Sequence, residues 1–403
     1  MGSLIRVLKK ARSPGRPKSA TMVALGARAQ SRREVIHSVQ PEGGANARVR
    51  RHERRTVLGL RDCSEYVIMN QQPSFSRARA WAAGVGAVGV GLAVFNRIMT
   101  ERAEHTHPPR GRLLRVGNVQ LHVVETGRGM PVVFLHGNGG MTADLEISGV
   151  FGHVGHRARA IAIDRPGFGY STRPNDRDWS PEAQAAAIAK ALEMLGVTGA
   201  VIVGHSWGTL VALALALNHP TLVSNLILAS GYYYPTVRAD TYMLGPPSYP
   251  VVGAVLRHTI APVIGWASAW GMIKHMFAPE PMTSRFSKQF PVPLTLRPGQ
   301  IRAFSEDTRA MPVAAARLSR RYADLRVPTQ IICGSEDKIV DVDRHSRRLS
   351  REVSHSQLTV VSGAGHMFHH TSPSHLTSLI DDALTAEHMP AAAEVDRPQR
   401  SAS

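Results

Sequence analysis

From residue 112 onward, short apolar runs alternate with longer stretches in which apolar and polar positions are mixed. Residues 113–116 and 119–124, joined through Gly117-Asn118, read as an antiparallel hairpin. Apolar runs of strand length then recur at 132–135, 160–163, 200–203, 226–229, 330–333 and 358–361. Helical patterns separate most of them. Ser180-Pro181-Glu182 opens a helix reaching Leu195, with Ser180 as N-cap, Pro181 at the first helical position and Gly196 as the stop. Residues 209–217 form a nearly all-apolar helical run. Strands alternating with helices predict an α/β fold with a mostly parallel sheet covered on both faces.

The alternation breaks between Ala229 and Val327. Residues 231–316 are proline-rich, carry few β signals and show helical patterns at 251–258, 262–276 and 298–308. They read as a helical cap inserted between the sixth and seventh strands, dividing a core into 112–230 and 317–388. It contributes large side chains, Tyr232, Tyr233, Tyr234 and Trp266 among them, and most of the set is expected to pack cap against sheet. Some of this set, which also holds Met243, Leu244, Trp270, Met272, Met276 and Phe277, must face the cleft, and an apolar lid implies a lipophilic ligand.

Upstream the pattern changes twice. Residues 1–80 lack a sustained apolar period and hold 17 Lys/Arg against 5 Asp/Glu, a net +12 of the chain's +18. This basic arm is expected to be disordered, as is the polar tail 389–403. Without interleaved aromatics or a known motif, no nucleic-acid partner is expected. Met69 offers an alternative start, followed by a short polar head. The 15 residues 81–95 are uncharged, and residues 81–99 approach the length of a spanning helix if Arg97 snorkels. No small-x-small cleavage site follows Phe95, so the segment reads as a single-pass amino-terminal membrane anchor. Residues 100–111 read as a polar linker. Arginines before Trp81 argue for a cytoplasmic amino terminus, and Arg97, Arg102 and Arg110 beyond it argue the opposite way. Ala83, Ala87 and Gly91, four residues apart, offer a face for close helix pairing in a homodimer.

The chemistry concentrates at strand ends. The run 201–203 leads into Gly204-His205-Ser206-Trp207-Gly208 and then a helix. That context suits a nucleophile on a tight strand-to-helix turn, with the helix amino terminus aimed at any oxyanion formed there. A serine needs a base, and the base an orienting acid. The seventh run ends in Gly334-Ser335-Glu336-Asp337, giving Asp337 as the acid with Glu336 as the alternative. The eighth ends in Gly363-Ala364-Gly365-His366, giving His366 as the base. The third runs into His136-Gly137-Asn138-Gly139-Gly140, a loop that brings backbone N–H groups to a carbonyl oxygen. The oxyanion hole is assigned to the N–H groups of Trp207 and Asn138, with Gly139 as the register alternative. His136 and His205 read as packing and turn residues. His369 and His370 read as surface or helix-entry residues, because no third ligand of zinc spacing is evident. No metal is expected. Cys333 reads as a small core residue, and two cysteines make no disulfide framework.

These motifs, with Asp164-Arg165-Pro166-Gly167-Phe168-Gly169-Tyr170-Ser171, resemble the α/β-hydrolase family over about residues 112–386. The resemblance implies a Ser206–His366–Asp337 triad and no cofactor. His136-Gly137-Asn138 and Trp207 are also similar to haloalkane dehalogenases and epoxide hydrolases of this fold. Those enzymes carry aspartate at the nucleophile position, so Ser206 argues against both chemistries. The expected activity is hydrolysis of a lipophilic carboxylic ester through an acyl-enzyme. Alternatives are acyl transfer, thioester or C–C hydrolysis on the same triad, a haloperoxidase-like side activity, or a non-catalytic membrane-tethered binding protein.

Overall fold

The computed structural model describes residues 75–237 and 239–388. The expectations for the basic arm up to residue 74, for the Met69 start and for the tail 389–403 lie outside the described residues.

Eight strands form one sheet: β1 (Arg112–Val116), β2 (Val119–Thr126), β3 (Pro131–Leu135), β4 (Arg159–Ile163), β5 (Ala200–His205), β6 (Val223–Ala229), β7 (Thr329–Gly334) and β8 (Ser356–Val361). Their order is β1-β2-β4-β3-β5-β6-β7-β8. Only β2 runs antiparallel to its neighbours, pairing β1 through the Gly117-Asn118 turn and β4 on its other edge. The period-2 geometry of a strand divides each run between two cores. Val133 and Leu135 of β3 pack with Ala185, Ile188 and Leu192 of the helix Pro181–Met194 and with the helix Gly208–Asn218. Val132 and Phe134 pack on the opposite face with Val154, Leu376 and Ile380. Burial on both faces is why the central strands read as unbroken apolar runs. Ser180 caps its helix by accepting from the Ala183 N–H at 3.3 Å.

The cap lies between β6 and β7. Its larger helices are Val251–His258, Ile260–Phe277 and Pro298–Ser319. The last runs well past the expected 308 and three residues beyond the expected cap boundary at 316. Pro312 sits inside it. Proline there removes one backbone donor, and the alanine, methionine and arginine around it are strong helix formers that carry the helix on. Tyr232, Tyr233 and Tyr234 are buried directly after β6 and bond to the core segment that follows β7: Tyr234 donates to Glu352 at 2.7 Å and the Tyr233 N–H to His345 Nδ1 at 3.0 Å.

The amino-terminal helix is Phe75–Thr106, longer at both ends than the expected 81–99, and it absorbs most of the expected linker 100–111. Glu101, Arg102 and Glu104 are good helix formers, and Arg97 pairs with Glu101 one turn on at 2.9 Å, so the change to polar residues does not end the helix. Pro108-Pro109 does. Its second half is docked: Ala103 packs with Met141 and Leu294, and the buried Asn96 amide donates to the carbonyls of His258 at 2.9 Å and Thr259 at 2.6 Å. Its first half stands clear, with Trp81 77% exposed. By length and apolarity the helix is sufficient to cross a membrane.

Candidate active site

Ser206 sits at the end of β5 with φ 51°, a left-handed conformation rare outside glycine, and its N–H is tied to the Ala229 carbonyl at 2.8 Å. The strain is held by the sheet on one side and the helix Gly208–Asn218 on the other. The flanking glycines are steric necessities. A Cβ on Gly208 would lie 2.3 Å from the Leu135 carbonyl oxygen, and one on Gly204 2.9 Å from the Gly208 oxygen. Trp207 occupies the N-cap position of the helix, so its N–H belongs to the turn whose donors have no helical partner. Its ring is fully buried, stacked under the Arg165 guanidinium, with the indole N–H donating to the Asp307 carbonyl at 3.1 Å.

Asp337 and His366 meet where β7 and β8 end. His366 Nδ1–H donates to Asp337 Oδ2 at 2.8 Å, and Asp337 Oδ1 accepts from the N–H groups of Ile339 (2.8 Å) and Val340 (2.9 Å). Burial alone would raise the Asp337 carboxyl. The adjacent His366 and the two backbone donors outweigh it and hold the group below its ordinary value. An ionised Asp337 fixes the His366 proton on Nδ1 and leaves Nε2 with a lone pair. Nε2 is buried and makes no hydrogen bond, so Ser206 is not bonded to it in this state. Glu336, the alternative acid, is exposed and lies 3.9 Å from Lys338 Nζ.

A cavity of about 300 Å³ joins Ser206 to Gly137, Asn138 and Gly139, with Met272 and Phe304 contributed by the cap. Among the described residues that line it there is no lysine or arginine, and the only carboxylate is Asp144. Asn138 is held by the cap, its side-chain amide donating to Thr308 Oγ1 at 2.8 Å and the Phe304 carbonyl at 3.2 Å. The loop is braced from below by Arg165, which donates to the carbonyls of His136 (2.9 Å) and Gly137 (3.1 Å). His136 itself is structural. It accepts from the Arg165 N–H at 2.9 Å, and burial, with Arg165 nearby, lowers it to about 4.

Two groups that matter here escape sequence reasoning. Arg165 pairs with Asp307 of the cap at 2.7 Å, with both side chains fully buried, and Arg173 and Gln184 complete the shell around that carboxylate. No local pattern marks Asp307, whose role depends on a contact 142 residues away. The second group corrects the surface reading of His369 and His370. Both are buried, donating from Nε2 to the two oxygens of Asp144 at 3.3 Å and 2.8 Å. Burial pushes the Asp144 carboxyl up, but the two histidines prevail and keep it well below the ordinary range. The three donor atoms lie within 4.8 Å of one another, an arrangement with metal-ligand chemistry that the sequence did not disclose, because Asp144 comes from a distant helix. Hydrogen bonding accounts for it as it stands. His205 lies between this group and His366, its ring tilted by 53° to both, with centroids 4.3 Å from His369 and 5.1 Å from His366.

A sequence model described as the alpha/beta hydrolase family matches residues 132–377. A 2-hydroxy-6-oxo-2,4-heptadienoate hydrolase of Pseudomonas putida is 27% identical over 69% of this chain and 97% of its own length. Among solved structures, a thermophilic esterase of Thermogutta terrifontis matches with TM-score 0.52 at 22% identity, covering 69% of this chain and 100% of its own. A membrane phospholipase A matches with TM-score 0.53 at 20% identity, covering 78% of this chain and 97% of its own. At these identities the two structures show the fold.

Proposed function

The chain belongs to the alpha/beta hydrolase family, and from that premise we propose that it is a membrane-anchored serine hydrolase acting on neutral, lipophilic carboxylic esters. The carrying observation is the hydrogen-bonded Asp337–His366 pair behind an elbow serine that opens into an apolar cavity.

Ser206 Oγ attacks the ester carbonyl carbon and gives its proton to His366 Nε2. The N–H groups of Trp207 and Asn138 stabilise the oxyanion. His366 returns the proton to the departing alkoxide, and Asp337 stabilises the imidazolium between those steps. Water then attacks the acyl-enzyme, delivering a proton to His366, and the acid leaves as Ser206 is restored. Apo triads are often looser than working ones, so the Ser206–His366 hydrogen bond is expected to close on substrate binding.

C–C bond hydrolysis on the same residues is the second reading, favoured by the P. putida relative. That relative's name gives its substrate as a dienoate, a carboxylate. A buried carboxylate needs a cation or several donors, and this cavity is lined by neither lysine nor arginine among the described residues. The ester reading therefore fits better. Hydrolysis of a nitrophenyl ester series by wild type and Ser206→Ala, run beside a 2-hydroxy-6-oxo-dienoate, separates the two. Turnover of the dienoate without the esters would reverse the order.

A further inference from the structure

The cap carries a surface that its packing does not explain. Between Asp240 and Lys274 the chain has one charged side chain of the Asp/Glu/Lys/Arg type, Arg257. Much of this stretch faces outward: Val251 is 78% exposed, Val252 62% and Val255 60%. Such a cluster is unusual for a water-facing surface.

The cavity opens on the same side. On the helix Ile260–Phe277, Ile264, Ser268 and Met272 fall four residues apart, and each is both exposed and part of the cavity lining. They form a lip, with the 78% exposed Met243 beside it. The opening over Ser206 is thus rimmed by Ile264, Met272 and Met243 beside Ser268, and the exposed valines stand on the adjoining cap helix.

The amino-terminal helix sets the depth of this surface. Asn96 ties it to the carbonyls of His258 and Thr259, at the bend between the two cap helices. Arg79 and Arg97 bracket the apolar stretch, about 27 Å apart at the helical rise per residue, close to the roughly 30 Å hydrocarbon thickness of a bilayer. Arg97 marks the headgroup level on the protein side. Asn96 is its neighbour, so the cap bend that it holds lies at that level, with Val255 one turn before the bend and Ile264 about one turn after it.

We infer that the cap's outer face sits in the lipid leaflet and that the cavity opens into it, so that ester lipids reach Ser206 sideways from the bilayer. The inference rests on the membrane-anchored hydrolase reading above and adds the partner surface and the substrate's route. An ester drawn from the leaflet need not cross water, which matches a cavity with no lysine or arginine among the described residues that line it.

The test uses the full chain in phosphatidylcholine vesicles. Val251→Asp/Val255→Asp places two charges on the outer face without touching the cavity lining. Hydrolysis of nitrophenyl laurate dissolved in the vesicles is expected to fall about tenfold or more, while hydrolysis of nitrophenyl acetate in solution stays within about twofold. Equal rates on vesicle-borne laurate in variant and wild type would overturn the inference, and so would an equal loss on both substrates. A second readout does not depend on catalysis. An environment-sensitive label at Val255→Cys, on a Cys63→Ser background, is expected to be quenched by lipids carrying a nitroxide in the acyl chain. An unquenched label would overturn leaflet contact. If the wild type hydrolyses neither ester, the serine-hydrolase reading has failed, and the label still decides the contact by itself.

Discussion

Asp307 of the cap and Arg165 of the core form an ion pair of 2.7 Å in which neither side chain is exposed. The same guanidinium holds the carbonyls of His136 and Gly137, so the cap and the loop that carries Asn138 share one buried charge centre.

Removing one partner of this pair strands the other. Asp307→Ala leaves Arg165 buried and uncompensated beside Arg173, and a loss of about 3–5 kcal/mol is expected. Urea denaturation of both proteins measures it. A loss under about 1 kcal/mol would mean that water reaches the guanidinium.

The triad assignment makes a graded prediction. Ser206→Ala is expected to abolish ester turnover. Asp337→Asn keeps the shape but no longer fixes the His366 proton on Nδ1, and a fall in kcat of about 10³–10⁴ is expected. Glu336→Gln, on an exposed side chain, is expected to leave kcat near wild type. Reversal of the last two would move the acid to Glu336.

The elbow tolerates no Cβ at Gly208. With the Leu135 carbonyl oxygen 2.3 Å from where that carbon would sit, Gly208→Ala must shift β3, the helix or both. Loss of folded protein, or a melting point lowered by several degrees with activity gone, is expected; a variant with normal stability and turnover would contradict the packing described.

Acid should weaken the fold from an unusually high pH. The folded pKa of His136 is lowered by burial, and then by Arg165, from 6.5 to about 4. His205 and His369 are also lowered, again chiefly by burial. The unfolded chain therefore takes up these protons first. The contribution of His136 is whole above about pH 6.5 and is lost as pH falls toward 4, by about 3 kcal/mol, and those of His205 and His369 fade in the same direction as the solution is acidified. Urea midpoints at pH 7.5 and 5.0 check this, and equal midpoints would show that these histidines are solvated.

The central strands were legible because buried parallel strands write themselves as apolar runs, and β1 and β2 because the Gly117-Asn118 turn marks their hairpin. The places of Ser206, Asp337, His366 and Asn138 just beyond strand ends were readable from the same runs. Helix ends were less so: Glu101 and Arg102 look like a linker but extend the amino-terminal helix, and Pro312 looks like a break but costs a single backbone donor. Asp307, and Asp144 with His369 and His370, were illegible because their meaning lies in partners brought together only by the tertiary fold. Sequence gives the residue types at such positions and nothing of the pairing.

The central claim is that Ser206 carries the acyl group. Rapid quenching of the full-length enzyme with a nitrophenyl ester, followed by peptide mass analysis, tests it directly. An acyl adduct on the peptide containing Ser206, absent in Ser206→Ala, is the predicted result. Turnover with no adduct on that peptide, or an adduct that survives the substitution, would contradict it.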